Sequence, residues 1–120
     1  MTECTFSDST LRFGRRSVRQ PWRIKQVWDL GSAILVMLDP DAYLTDPAYR
    51  QEHRRGVGSL RNLRAFSREG ELLWEAALPE DVDYYYAVTS LDPLTALAFS
   101  SHECEIDPAT GRIVALRPLK

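Results

Sequence analysis

The chain has 120 residues, of which 44% are hydrophobic and 27% charged, and its net charge is −2. This size fits one domain with its own core, and we expect no second domain. The charge balance offers no general attraction to nucleic acid or to an anionic membrane. The longest apolar run falls far short of the ~20 residues that cross a bilayer, and residues 1–11 lack the pattern of a secretory signal. We therefore expect a cytoplasmic protein without a membrane partner.

The start of the chain carries weak structural signals. Residues 1–9 are polar and are expected to form a flexible lead-in, and Thr10–Phe13 alternates as a first edge strand would. The basic run Arg15–Arg19 is the obvious place to look for a nucleic-acid site. However, three arginines near a chain start are typical of a solvated segment, and residues 61–120 are acidic. We predict no nucleic-acid partner.

The longest apolar run, Ala33–Leu38, predicts a central strand. Its branched residues, entered through Gly31 and left through Asp39–Pro40, are typical of a strand buried on both faces. The segment Trp22–Leu30 is predicted to pair with it across a tight turn.

Residues 39–59 form a long polar segment that we predict to be a loop in contact with a partner. Two prolines forbid regular strand pairing within it, and loops of this length in small domains are usually functional or disordered. Asp46 and Pro47 favour a short helical turn over residues 47–54. His53 has no carboxylate or nucleophile at a useful spacing, so we interpret it as a solvated loop residue.

The clearest local prediction is a β-hairpin over residues 62–75. Apolar residues recur on both sides of the turn Ser67–Gly70, and Gly70 can adopt the positive φ that a tight turn requires. An acidic turn then leads into Tyr84–Thr89, which has strong β propensity. Strict alternation would place Tyr84, Tyr86 and Val88 on one face and Tyr85 on the other. Turns with Asp-Pro chemistry bound three further strands, at residues 94–100, 103–106 and 112–116.

The predicted fold is all-β: one domain over residues 1–120, built as an antiparallel meander of about eight strands in blade-like open sheets. Cys4 and Cys104 are not part of a Cys-x-x-Cys pair, and we expect free thiols rather than a disulfide. No catalytic residues, metal site or cofactor are predicted. The expected core residues are Trp28, Val36, Phe66, Leu73, Trp74, Val88 and Phe99.

Two segments share one plan and lie 40 residues apart, counted from Phe66 to Ile106. Residues 66–73 and 106–114 each have an apolar residue, a small polar residue, a turn, a glycine, a charged residue and an apolar pair. Residues 28–34 carry a shortened version. A period near 40 residues is typical of four-stranded propeller blades.

These segments resemble the blade motifs of quinoprotein-type β-propellers, in which a strand, an Asp-x-x-x-Gly turn and a Leu-Trp strand recur. Ser67 replaces the usual aspartate, Ala115 stands where a tryptophan would fall, and three units are too few for a closed ring, so no bound quinone is expected. Over Pro21–Val114 the chain resembles short bacterial proteins that look like excised blades. Some of these resemble immunity proteins that neutralise a toxin from the same bacterium.

The resemblance implies a non-enzymatic binding protein, an immunity protein or inhibitor that blocks the active site of a cognate toxin. A rigid sheet with aromatic and acidic side chains suits such a role, because these side chains supply apolar anchors and complementary charge. The candidate partner-binding residues lie in the long loop and in the acidic, tyrosine-rich segment: Tyr43, Tyr49, Arg54, Glu80, Asp81, Asp83, Tyr84, Tyr85 and Tyr86.

Two alternatives stay open. A small hydrolase or nuclease would use aspartates with His53 or His102, but four Asp-Pro pairs explain most of those acids as turn formers. The chain has no Ser/His/Asp order, His-x-x-x-His spacing or phosphate-binding loop. A structural or assembly module would instead add strands from a partner or from a second copy at an exposed sheet edge.

Overall fold

The computed structural model describes residues 4–41, 61–81 and 83–119. Within these ranges the chain forms eleven β-strands, which confirms the all-β prediction and exceeds the eight strands expected. The described residues form no helix, and hence none that is long and apolar enough to cross a membrane. The strands are β1 (Cys4–Ser7), β2 (Thr10–Phe13), β3 (Arg16–Arg19), β4 (Ile24–Asp29), β5 (Ile34–Leu38), β6 (Leu63–Phe66), β7 (Leu72–Glu75), β8 (Tyr85–Leu91), β9 (Leu94–Ala98), β10 (His102–Ile106) and β11 (Ile113–Pro118).

The strands form three antiparallel sheets in which sequence neighbours are also spatial neighbours. Sheet I contains β1–β3, sheet II contains β4–β7 and sheet III contains β8–β11. Within each sheet this arrangement is the predicted meander, because every connection inside a sheet joins adjacent antiparallel strands. The helical turn predicted over residues 47–54 lies outside the described residues.

Sheet I accounts for the extra strands. Cys4–Ser7 was expected to belong to a flexible lead-in and Arg16–Arg19 to a solvated basic run, but both pair with β2. Thr10–Phe13 is consequently the central strand of this sheet, not an edge strand. The strands are short and polar, so pairing and tight turns decide their structure more than residue type does.

Sheet II lies between the other two sheets, and β5 is buried on both of its faces. Leu35 and Met37 pack into a core shared with sheet III, whereas Ile34 and Val36 pack into a core shared with sheet I. This alternation explains why every residue of β5 is apolar and buried. The prediction of a doubly buried central strand at residues 33–38 is confirmed.

The predicted core is partly wrong. Val36, Phe66 and Trp74 are buried as expected, and the half-buried Trp28 and Val88 pack against the core between sheets II and III. Leu73, however, is 51% exposed, because β7 is the outer strand of sheet II and only Trp74 of this strand is buried. Phe99 is 63% exposed, because it lies beyond the end of β9 in the turn to β10.

The predicted hairpin over residues 62–75 is confirmed as β6 and β7. Ser67 Oγ accepts hydrogen bonds from the backbone N–H groups of Glu69 and Glu71 at 3.3 and 3.0 Å. Gly70 has a φ of 93°, a conformation that glycine adopts without a steric cost.

A glycine with positive φ precedes the last strand of each sheet. Gly14, Gly70 and Gly111 have φ values of 64°, 93° and 77°. Residues 28–34 lie instead at the turn between the first two strands of sheet II, so they are not equivalent to the segments at 66–73 and 106–114. The equivalent position in sheet I is Gly14.

These glycines let one sheet approach the next. A Cβ atom added to Gly70 would lie 3.3 Å from Val18 in sheet I, and one added to Gly111 would lie 2.6 Å from Trp74 in sheet II. Val18 and Trp74 are each four residues after the glycine of their own sheet. In both cases, therefore, the turn glycine of one sheet packs against the residue that lies four positions after the turn glycine of the preceding sheet.

Asn62 connects sheets II and III. Its buried side-chain amide donates to the Leu38 and Tyr85 carbonyl oxygens at 3.0 and 2.6 Å, and its oxygen accepts from the Tyr85 N–H at 2.9 Å. The side chain thus forms the hydrogen bonds that a neighbouring peptide group would form.

Candidate functional site

Two turns meet at one end of sheet III, where a buried carboxylate joins them. Asp83, only 2% exposed, precedes β8. Its Oδ1 accepts hydrogen bonds from the backbone N–H groups of Tyr84 and Ser100 at 2.9 and 3.1 Å, and its Oδ2 accepts from the Ser100 hydroxyl at 2.6 Å. The Asp83 carboxylate therefore connects the β9–β10 turn to the segment that precedes β8.

His102 extends this contact into a row of three side chains. Its Nδ1 lies 2.9 Å from Ser100 Oγ. A serine hydroxyl has one proton, and an ionised carboxylate can only accept. Because that proton is directed at Asp83, the Ser100 oxygen accepts a hydrogen bond from Nδ1–H of His102.

The order of this row differs from that of a catalytic triad. In a triad the histidine takes the serine proton and the carboxylate orients the histidine. Here the serine lies between the carboxylate and the imidazole, and Asp83 already accepts two backbone N–H groups. In this geometry the row holds two turns together. No group of His, Cys, Asp and Glu within residues 4–41, 61–81 and 83–119 could hold a metal ion.

A stacked aromatic pair, of which Phe99 is exposed and Tyr84 half-buried, lies beside this row. The rings of Tyr84 and Phe99 are stacked, with centroids 5.0 Å apart and planes inclined by 22°. Backbone hydrogen bonding fixes the pair, because Phe99 N–H donates to the Tyr84 carbonyl at 2.9 Å. We call Tyr84 and Phe99 the aromatic platform. Exposed Glu80 and Asp81 lie in the turn that leads into it.

The structure separates the predicted site residues. Glu80 and Asp81 are exposed, Tyr84 is half-buried and Tyr86 is 38% exposed. Asp83 and Tyr85, also predicted to bind a partner, are buried, so their side chains are not exposed at the surface. Tyr43, Tyr49 and Arg54 lie outside the described residues.

Tyr85 is buried because β8 does not alternate strictly. Its register against β9 is interrupted between Tyr85 and Ala87 and again between Val88 and Ser90. As a result Tyr85 and Val88 both pack into the core shared with sheet II. The Tyr85 hydroxyl donates to the Ala77 carbonyl at 2.6 Å, and burial of this side chain raises its pKa well above the ordinary value.

The sequence indicated neither Phe99 nor Ser100 as a functional residue. Phe99 looked like the last apolar residue of a strand, and Ser100 lies 17 residues from Asp83. Only the pairing of β8 with β9 brings these residues together.

No curated protein and no solved structure matches the chain. A family model described as a domain of unknown function, DUF7957, matches residues 1–117. Since that match covers nearly the whole chain, the protein belongs to the DUF7957 family.

Proposed function

We propose that this protein is a non-enzymatic binding module that neutralises a cognate bacterial toxin, in the manner of an immunity protein. The aromatic platform carries the proposal. Phe99 is the most exposed large apolar side chain among the described residues, and an apolar ring in water favours burial against another molecule.

Hydrogen bonds hold the backbone of the platform in place before it binds. The Phe99 N–H is bonded to Tyr84, and the neighbouring Ser100 is bonded to Asp83 through both its backbone and its hydroxyl. A side chain that is already fixed loses little conformational entropy on binding. Such aromatic anchors dominate the binding energy of many protein interfaces.

The charge beside the platform supports a basic partner. Glu80 and Asp81 are exposed in the adjoining turn, and complementary charge steers a partner and fixes its orientation. A toxin that cleaves nucleic acid needs basic side chains near its active site, because it must bind phosphates. An acidic rim around an apolar anchor suits that kind of cleft.

The proposal is tested by calorimetric titration of the purified protein against the product of the neighbouring gene. We expect tight binding that Phe99→Ala weakens at least tenfold. The matched control is Leu73→Ala, which truncates a similarly exposed apolar side chain on sheet II and should bind as the wild type does. Absence of binding, or equal affinities for Phe99→Ala and wild type, would contradict the proposal.

The row Asp83–Ser100–His102 favours a second candidate, a small hydrolase. We rank it lower because the serine proton points to the carboxylate and not to the imidazole. Activated ester and phosphodiester substrates decide between the two. Turnover by the wild type that Ser100→Ala abolishes, with the circular dichroism spectrum unchanged, would establish the hydrolase and reject the binding module.

A further inference from the structure

The outward face of sheet I carries positive charge. Residues directly opposite each other in antiparallel strands point to the same face. Leu11, opposite Phe6 and Val18, is buried toward sheet II, so the neighbouring rows point outward. That outward face consists of small hydroxyl residues and two arginines: Thr5, Ser7, Thr10, Arg12, Ser17 and Arg19.

The outward face of sheet III is acidic. Ala96 and Cys104, opposite each other, are buried toward sheet II, and the rows on either side point away. This outer face contains Ala87, Ser90, Thr95, Leu97, Glu103, Glu105, Ala115 and Arg117. Its one arginine, Arg117, is paired with Glu103 at 3.3 Å.

The two end faces therefore have opposite charge. Arg12 and Arg19 on sheet I and Glu105 on sheet III form no ion pair within the described part of the chain. Solvated surfaces usually mix both signs. Here the charges without an ion pair among the described residues are positive on the outward face of sheet I and negative on that of sheet III.

The repeated glycine contact is also incomplete at both ends. Gly70 and Gly111 are buried against the preceding sheet, whereas Gly14 is exposed and no sheet precedes it among the described residues. Ala115 lies four residues after Gly111, at the position equivalent to Val18 and Trp74. Among the described residues no glycine of another sheet packs on it. Sheet I thus has an unused turn glycine, Gly14. Sheet III has an unused position, Ala115, on which such a glycine would pack.

We propose that a second copy of the chain docks head to tail, with the basic face of sheet I on the acidic face of sheet III. This contact places Arg12 and Arg19 against Glu105 and brings Gly14 of one copy to Ala115 of the other. The side chains around these positions are small, which permits the ~10 Å separation of packed sheets. The contact is heterologous, because it joins two different surfaces of the chain.

Sedimentation velocity over a wide concentration range, at low and at high salt, tests this contact. We expect reversible association that salt weakens, because exposed charges are screened. Arg12→Glu and Glu105→Arg should each weaken self-association at least tenfold. An equimolar mixture of the two variants should associate again, since each variant keeps one native face and the two altered faces are complementary.

The matched controls reverse charges away from the end faces. Arg61→Glu and Glu69→Arg change exposed residues near the ends of β6, and both should associate as the wild type does. A chain that stays monomeric at every concentration would overturn the proposal. Association that is insensitive to Arg12→Glu, or a mixture of the two variants that stays monomeric, would do so as well.

Discussion

The two junctions between sheets are built differently. Sheets II and III share a core of twelve buried residues, and specific polar contacts cross it, including the hydrogen bond from Trp74 Nε1 to the Pro108 carbonyl at 2.9 Å. Among the described residues, sheets I and II share a smaller core of seven buried residues. Beside that smaller core lies Arg64, which is bonded to Glu75 and Gln20. The junction of sheets I and II thus depends on less apolar burial and on a charged pair whose desolvation is costly.

This difference indicates that sheets II and III form the stable body of the protein and that sheet I is attached to it. Leu11 and Phe13 are the buried core side chains that the short strands of sheet I contribute. Regions with few buried contacts open at a lower free energy than the rest of a domain. The predictions below test this asymmetry, from the largest expected effect to the smallest.

Trp74→Ala should be the most damaging of these substitutions. It removes the side chain that packs under Gly111 and donates to the Pro108 carbonyl. Loss of a large buried aromatic side chain typically costs about 3–5 kcal/mol. Urea denaturation measures the free energy of unfolding. If Trp74→Ala lowers the free energy of unfolding no more than a variant of an exposed residue such as Leu73→Ala, the junction of sheets II and III does not depend on this contact.

Gly111→Ala should destabilise the protein more than the same change at two other glycines. All three positions have positive φ, which costs an alanine about 1–2 kcal/mol. At Gly111 the new methyl group would also overlap Trp74 at 2.6 Å, at Gly70 its nearest neighbour would be Phe13 at 3.2 Å, and at Gly31 it would meet nothing within 4 Å. We expect the losses to rank Gly111, then Gly70, then Gly31, in urea denaturation. Equal losses would mean that backbone strain alone acts.

Asn62→Ala should cost about 1–3 kcal/mol, because buried hydrogen-bonding groups are left without partners. The affected groups are the Leu38 carbonyl and both backbone polar groups of Tyr85. Thermal unfolding of Asn62→Ala, Asn62→Asp and wild type measures the effect. If Asn62→Ala unfolds at the wild-type temperature, the amide does not hold sheets II and III together.

Hydrogen exchange compares the junctions in the unmodified protein. Amides in β2 should exchange at least tenfold faster than amides in β9, since β2 belongs to the less buried sheet. Mass spectrometry of peptides that cover each strand reads the rates. Equal protection would show that all three sheets open together, in one cooperative unit.

The smallest expected effect is a pH dependence at the turns of sheet II. Arg68 donates to both carboxylate oxygens of Asp29 at 2.8 and 3.1 Å, and the Gly31 N–H donates at 2.7 Å. These hydrogen bonds hold the pKa of Asp29 below its ordinary value, with the Arg68 contact contributing most. A lowered folded-state pKa stabilises the protein above the unfolded pKa of about 3.9, and the contribution disappears as the pH falls through the folded value.

Asp29→Asn should therefore lower the urea midpoint slightly near neutral pH and leave it unchanged at the acid end of the titration. Because Asp29 is exposed to solvent, the difference is small. A difference that persists at the same size below the folded pKa would assign the effect to lost packing, not to charge.

Local patterns predicted the parts of the fold that local chemistry determines. The strand at 33–38 and the hairpin at 62–75 follow from an apolar run and from a turn glycine, and both are formed. Strands β1 and β3 were not predicted, because their polar residues gain strand structure only by pairing with β2. The predicted orientation of the Tyr85 side chain, on the face opposite Val88, was wrong because the two register irregularities in β8 are not visible in the sequence.

The candidate site was less predictable than the fold. Its acidic turn and Tyr84 were identified from composition, but the aromatic platform depends on Phe99, a residue assigned to the core. The bond between Ser100 and Asp83 joins residues 17 positions apart. Contacts of this kind follow from strand pairing, which hydrophobic alternation specifies only approximately.

Asn62 has a further consequence for the behaviour of the protein in concentrated solution. Strand β8 is the border of sheet III, and its seven residues, Tyr85–Leu91, include no charged side chain. Such a border is a template for uncontrolled pairing with other chains. The Asn62 amide occupies the two backbone groups of Tyr85 at the start of this border. One carboxamide from the neighbouring sheet thereby keeps these two groups from pairing with another chain.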